Sequence, residues 1–570
     1  MILDFEYREG PTQSLQVLCC VAQHLESGRV WKQWLGGIES PSPAFPCDAD
    51  TIVVAHAVAP AEARCLLELG WAFPGGWIDT CVEERVLARG TKPEEGFSLL
   101  ACCRRRGIKV MADYQKEDMR ALCLKEGGHD EAERHRILSY CEADVVAGGR
   151  LFIEIQDLIH IPQALLRGAY LAECSRITAR GIPVDMARFI PLKELGNEGL
   201  RCLFANHFDD YGLLENGSLN SKQFQGLVDE SGITWPRTSA EAYATDKDTL
   251  KEMAKLHGEP WRGVRQLLEV VRGASVDALV INGNGRLIAD SRPFGTFTGR
   301  CTPSTSAFLW NGPKWLRSLL QPPPGRTVLV IDWSNQEFAI AAALSRDPEM
   351  IAAYMTGDPY MALAKQSGRV PLQATAETHP KEREQFKVVS LAVLMGMSAW
   401  GIGRRLETSE SHGRELLDTH RRIYHRFWKW SDSTASTAAA NRPLETAFGL
   451  VYQPGVTSKQ RTARNFLLQA TGSDMLRVAV LLLADKGLEV IATVHDSVMI
   501  ECDTLNAAEV ENVATQCMGD ASRIALWDRL EVRTDVTRVD HPYHYQDKNG
   551  KAYWTRLAGL LQLPLDTHEG

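Results

Sequence analysis

Short apolar runs alternate with amphipathic stretches at the start of the chain. Ile2–Phe5 and Thr51–Ala55 read as strands, and helical spacing around them predicts a compact α/β unit over residues 1–157. From about Leu158 to Ala289 the pattern turns mostly helical and charged, interrupted by a soft stretch at 216–221 with the turn signal Asn216-Gly217. A Gly/Thr-rich segment, RPFGTFTGRCTPS, and a Pro-rich turn, QPPPGR, come next. That turn launches an apolar strand, Thr327–Ile331, which ends at Asp332. A helical pattern follows through Glu337 to Leu344, and helices dominate 345–485. In LEVIATVHDSVMIEC two β-rich runs meet at His495-Asp496, which predicts a hairpin with an acid at its tip.

Composition narrows the class. A chain of 570 residues exceeds one hydrophobic core and predicts three or four domains. Hydrophobic content of 44% with 24% charged residues argues against long disorder. Asp4, Glu6 and Glu9 are at odds with a secretory signal or an Arg-rich transit peptide, and no uninterrupted apolar run looks long enough to cross a bilayer, so no membrane association is expected. A net charge of -9 means that any grip on nucleic acid must come from local Lys/Arg clusters. Fourteen cysteines without a C-x-x-C pair fit reduced thiols in a cytosol better than a zinc site or a disulfide frame.

Candidate chemistry sits in the C-terminal two thirds. Phosphoryl transfer by two divalent cations about 4 Å apart needs carboxylates converging from separate strands. Asp332 and Asp496 each follow an apolar β-run, where an acid is costly unless it meets a cation or water. Singly, each reads better as a strand-end residue capping a turn. Between them, Arg383 and Lys387 are four apart on one helix face, able to hold a triphosphate, with Lys387 also placed to protonate departing pyrophosphate. The competing reading is a solvated basic face, which the apolar stretch after Lys387 weakens. Arg461, Asn465 and Gln469 repeat the same spacing with mostly neutral groups, which suits minor-groove acceptors present in every base pair and equally suits an ordinary polar helix face.

The ordered blocks Thr298-Gly299-Arg300, Asp332 to Glu337, Arg383 to Lys387, Arg461 to Gln469 and His495-Asp496 resemble the family A DNA polymerase series over roughly residues 160–560. The resemblance implies a right hand over 158–570, with thumb about 190–285, palm about 286–345 and 466–570, and fingers about 346–465. It implies that Asp332 and Asp496 hold two Mg2+ ions, with Mn2+ as a substitute, and that Arg383 and Lys387 hold the incoming dNTP. Glu337 would close the space beside the sugar 2′-position, making this a DNA rather than an RNA polymerase. Arg300, Asn465 and Gln469 would follow the minor groove of primer–template DNA, joined by Arg461, and His495 would contact the primer end. Tyr360 stands where the family usually has His. Leu391 and Met395 replace family aromatics on the nucleotide-binding helix, and Ser497 replaces a third acid.

In the N-terminal unit, Asp4 and Glu6 share one strand face, while Tyr140 and Asp144 share one helix face. Taken alone, such acidic pairs are as easily exposed surface. Together they resemble the RNase H-like 3′-5′ proofreading exonuclease domain, which implies that Asp4, Glu6 and Asp144 bind two metals and Tyr140 orients the attacking water. The middle motif, VVAHAVAPAEARCLLELGW, lacks the expected Asn. Its best-fitting acid is Glu62, with Asp79 as a competitor at a position that usually marks a structural turn. An exonuclease-dead scaffold is the alternative, and a catalytically silent DNA-binding subunit is the rival for the whole chain. With no room before Asp4 for a 5′ nuclease, the compact form is expected of a bacteriophage enzyme or a small bacterial one, monomeric, in the bacterial or infected-host cytoplasm, working with replication accessory proteins.

Overall fold

The computed structural model describes residues 1–10, 14–39, 41–110, 113–273, 276–289, 291–303, 308–453 and 460–564. The chain forms two compact units, one from Met1–Arg180, Ser291–Thr302 and Val328–Arg538, the other from Gly181–Asp290, Pro303–Thr327 and Val539–Gly570.

The first unit opens with a mixed sheet. Strands β1 (Ile2–Glu9), β2 (Leu15–Gln23), β3 (Val30–Trp34), β4 (Ile52–Ala55) and β5 (Gly76–Asp79) lie in the order β3-β2-β1-β4-β5. The first three pair antiparallel, whereas β4 runs parallel to β1 and β5 parallel to β4. Helix α1 (Glu131–Ile155) starts at a capping box in which Asp130 and Glu133 satisfy each other's backbone N–H groups. It buries Ile137, Cys141 and Val145 against Ile2, Val21 and Ile78 of the sheet.

The helix Ile161–Arg180, which sequence reading gave to the second domain, packs on this same sheet. A side-chain carbon at Gly168 would lie 1.9 Å from the Trp77 carbonyl oxygen, so only glycine permits the approach. The Arg167 guanidinium beside it grips Glu83 with two hydrogen bonds of 2.7 and 2.6 Å, both side chains almost fully buried.

Later in this unit, β6 (Arg326–Trp333), β7 (Glu489–Val494), β8 (Ser497–Asp503) and β9 (Thr534–Asp540) make a second sheet ordered β7-β8-β6-β9. β7 and β8 form the expected hairpin, with Val494 opposite Ser497. Around the sheet stand α2 (Gln336–Ser345), α3 (Pro359–Gln366), α4 (Pro380–Leu394) and α5 (Gln460–Asp485). α2 is buried nearly all round, consistent with its Ala-rich apolar sequence. α5 is, by length and composition alone, apolar enough to cross a membrane, although Asp474 and Arg477 interrupt it. Its apolar window is, however, 78% buried inside the protein, where it serves as a core helix.

The second unit is mainly helical, through Met186–His207, Ser221–Ser231, Lys247–His257 and Trp261–Gly273. Phe224, Trp235, Trp261 and Leu268 form a core there. Asn216-Gly217 turns a two-residue hairpin between Leu214–Glu215 and Ser218–Leu219, with both turn residues at positive φ, 50° and 72°.

Candidate active site

Asp332 stands near the end of β6, and Asp496 at the tip of the β7–β8 hairpin, where His495 turns the chain at φ 55°. Asp332 is exposed at the strand end, yet protein crowds its carboxyl enough that lost hydration is the first cause raising its pKa to about 7. The charge of Asp496, a hydrogen bond with it, and the charge of Asp535 on β9 add to the rise. Two carboxyl groups brought this close, with Asp332 hard to ionise, are the arrangement expected of acids built to share a cation. Ser497 takes no part: it is buried and its hydroxyl donates to the Val494 carbonyl at 2.9 Å.

Glu337 lies in the first turn of α2, where the Arg300 guanidinium donates to its Oε1 at 3.4 Å. Burial raises the Glu337 pKa, Arg300 opposes the rise, and the nearby Asp496 charge adds to it. Arg300 is itself fixed from behind. A buried Arg477–Asp474 pair on α5 supplies an N–H to the Gly299 carbonyl at 3.0 Å. Tyr360, buried on α3, packs edge-on against Phe338 of α2 and lies under the Arg383 guanidinium, 5.8 Å from the ring centre. Its hydroxyl is pushed to about 12, by burial first and with the Glu337 charge among the smaller causes. Asp496, Glu337, Tyr360 and Arg383 thus form one continuous neighbourhood.

On α4, Arg383 donates to Asp358 at 2.5 Å and Lys387 sits 3.7 Å from Glu384, so both predicted phosphate ligands have acidic partners. Leu391 and Met395 are half-buried on the same helix and its end. Asn465 on α5 donates to the Met395 carbonyl at 3.4 Å, and a carbon added at Gly396 would meet Arg461 Cγ at 3.0 Å. Arg461 and Asn465 therefore brace the end of α4, while Gln469, a turn further along, is half-buried. Past it, a carbon added at Gly472 would come within 2.8 Å of the buried Gln336 Oε1, which explains a glycine inside α5.

In the N-terminal sheet, ligand atoms of Asp4, Glu6 and Cys141 lie within 4.8 Å of one another. Burial first and then the Asp144 charge push Asp4 to about 7, and burial and Asp4 push Glu6 well up. Tyr140 hydrogen bonds with Asp144, whose carboxylate also meets Lys116 Nζ at 3.4 Å. Glu62 is 2% exposed, its Oε2 has no hydrogen-bond partner among the described residues, and burial and the Asp4 charge raise its pKa well above the ordinary value. Asp79 has a different task. It accepts from the backbone N–H groups of Cys81, Val82 and Val58, capping the helix Thr80–Leu87.

Comparison with known proteins bears on this arrangement. The family model described as DNA polymerase family A matches residues 213–540, more than half of the chain and all of the constellation around Asp332 and Asp496. The chain belongs to DNA polymerase family A. This family A chain is 23% identical over 474 residues to DNA polymerase I of Aquifex aeolicus, covering 76% of this chain and 78% of that protein. It is 24% identical over 528 residues to DNA polymerase I of Mycobacterium bovis, covering 83% of this chain and 56%, about half, of that longer relative. Among solved structures, the POL domain of Pol1 from M. smegmatis, in complex with DNA primer-template and dNTP, has the same fold, with a TM-score of 0.71, 19% identity and 94% of each chain covered.

Several residues of these two constellations escape sequence reading. Asp535 faces Asp332 only through strand pairing between distant segments. Asp358 partners Arg383 across a helix connection, and Lys116 reaches Asp144 from 28 positions away. Asp474 and Arg477 had a usable signal, an i,i+3 charge pair inside an otherwise apolar helix.

Proposed function

We propose that this chain lengthens a primer 3′ end on a DNA template, using dNTPs and two divalent cations, Mg2+ with Mn2+ as a substitute. The observation that carries the reading is the meeting of Asp332 and Asp496, from separate parts of the sheet, close enough for a side-chain hydrogen bond. Among the described residues no lysine or arginine pairs with either acid. Hard oxygen donors without a cationic partner fit a divalent ion. The ions, when bound, supply activation of the 3′-hydroxyl and charge neutralisation at the triphosphate. Arg383 and Lys387 exchange their local acids for triphosphate oxygens. Glu337, held by Arg300, excludes a 2′-hydroxyl, while Gln469 and His495 face the primer terminus. The domain roles of palm, fingers and thumb, action as a monomer with replication accessory proteins, and a place in the cytoplasm of a bacterium or phage-infected host belong to the same proposal.

The N-terminal unit is proposed as a 3′-5′ proofreading exonuclease, on the closeness of Asp4 and Glu6, the Asp144 charge that bears on both, the Tyr140–Asp144 hydrogen bond, and the orphaned Glu62 oxygen as a further donor. The Lys116–Asp144 ion pair supports a second reading, a silent scaffold in which an internal ammonium stands in for a metal.

A labelled primer on a template, incubated with dNTPs, with rNTPs or with no nucleotide, tests these readings. Asp496→Asn is expected to abolish lengthening and preserve shortening, and Asp4→Ala to do the reverse. Lengthening that survives Asp496→Asn rejects the polymerase site, and shortening that is absent from the unaltered chain selects the scaffold.

A further inference from the structure

We infer that Asp535, on β9, is a third carboxylate ligand of the cation site formed by Asp332 and Asp496; this rests on the polymerase reading above. The register of β6 and β9 carries it. Ser334 N–H donates to the Arg533 carbonyl at 2.8 Å, and His541 N–H donates to the Arg326 carbonyl at 3.2 Å. These two bonds define one antiparallel ladder, since each step forward on β6 is a step back on β9. Counting two residues in from the first bond puts Asp535 directly across from Asp332. The same count puts Asp540 across from Thr327, and those side chains do bond, at 2.5 Å.

Residues directly opposite share a sheet face, with Cβ atoms about 4.5–5.5 Å apart, and like charges in that relation repel. Nothing among the described residues neutralises them. The nearby Arg533 guanidinium is turned away, lying 4.7 Å over the Tyr354 ring and donating to the Tyr354 carbonyl. Instead the Ser334 hydroxyl donates to Asp535 Oδ2 at 2.5 Å, which fixes the carboxylate, and among the described residues no hydrogen bond reaches Oδ1. Asp332 and Asp535 are both exposed, so solvent and ions reach them. The position that might have supplied a third acid, Ser497, is buried and spent on the Val494 carbonyl. Asp535 stands on the neighbouring strand, where it approaches Asp332 from the side opposite β8 in the strand order.

Mn2+ binding to the full chain, followed by the electron-spin signal of free Mn2+ in the absence of DNA and nucleotide, tests this without relying on turnover. Asp4→Ala with Glu6→Ala serves as the background, so that the N-terminal acids do not compete for the ion. Asp535→Asn is expected to weaken Mn2+ binding about tenfold, comparable to losing an important partner at a metal site. Asp535→Glu should restore most of it, which a purely structural role would not require. Weakening by Asp496→Asn but not by Asp535→Asn overturns the inference and leaves the polymerase site standing. No weakening by either variant overturns both. Melting curves of Asp535→Asn and Asp535→Glu that match the background exclude misfolding as the cause.

Discussion

Proton and cation should compete for the Asp332–Asp496 pair, and the competition has a calculable size. Asp332 is raised from 3.8 to about 7, by burial first and then by Asp496. A cation needs the deprotonated form, so apparent affinity follows the ionised fraction of Asp332. That fraction falls from about nine tenths near pH 8 to about one tenth near pH 6, a loss of roughly tenfold in affinity. The raised pKa also fixes the sign for stability. The folded chain binds a proton that the unfolded chain has already released, so without cation this site costs stability increasingly as pH rises from about 4 to about 7. Calorimetric Mn2+ titration in the Asp4→Ala, Glu6→Ala background, in two buffers of different ionisation heat, should count about half a proton released near pH 7. Affinity unchanged between about pH 6 and pH 8, with no proton released, would refute the raised Asp332 carboxyl.

Other expectations follow from particular contacts. Glu337→Ala should raise incorporation of ribonucleotides relative to deoxynucleotides by about tenfold or more, equivalent to about 1.4 kcal/mol of lost discrimination; an unchanged ratio of kcat/KM values would remove the gating role. Arg167→Met leaves Glu83 buried without its partner and should destabilise the N-terminal sheet region by about 3–5 kcal/mol in urea unfolding read through Trp77 fluorescence. A loss under about 1 kcal/mol would mean that the site takes up water or rearranges. Lys116→Ala should increase digestion of single-stranded DNA in Mg2+ by freeing Asp144, whereas equal or slower digestion would make Lys116 a supporting residue.

Much of the Asp332–Asp496 site was legible because its signals are local. An apolar run closed by an acid marked Asp332, and two β-runs meeting at an acid marked Asp496, where the hairpin holds its tip as read. The Asn216-Gly217 turn was legible for the same reason. The end of the first domain was not. A helical pattern beginning near residue 158 says nothing of what the helix packs against, and Gly168 against Trp77 settles that only in three dimensions. Arg461 and Asn465 were read for DNA from their spacing together with the family resemblance, yet in the folded chain they also brace Met395 and Gly396. Asp535 was invisible because strand register depends on pairing between segments about 200 positions apart, which periodicity does not encode.

Helix α5 has a mechanical consequence. Its 26 residues span about 39 Å, touching the end of α4 at Arg461 and Asn465 and pressing on Gln336, the neighbour of Glu337, at Gly472. A straight helix held at both points is a lever: it passes a displacement on rather than absorbing it. On the proposed function, nucleotide contact at the end of α4 and exclusion of a 2′-hydroxyl beside Glu337 are therefore geared together, and a substitution that retunes one also retunes the other.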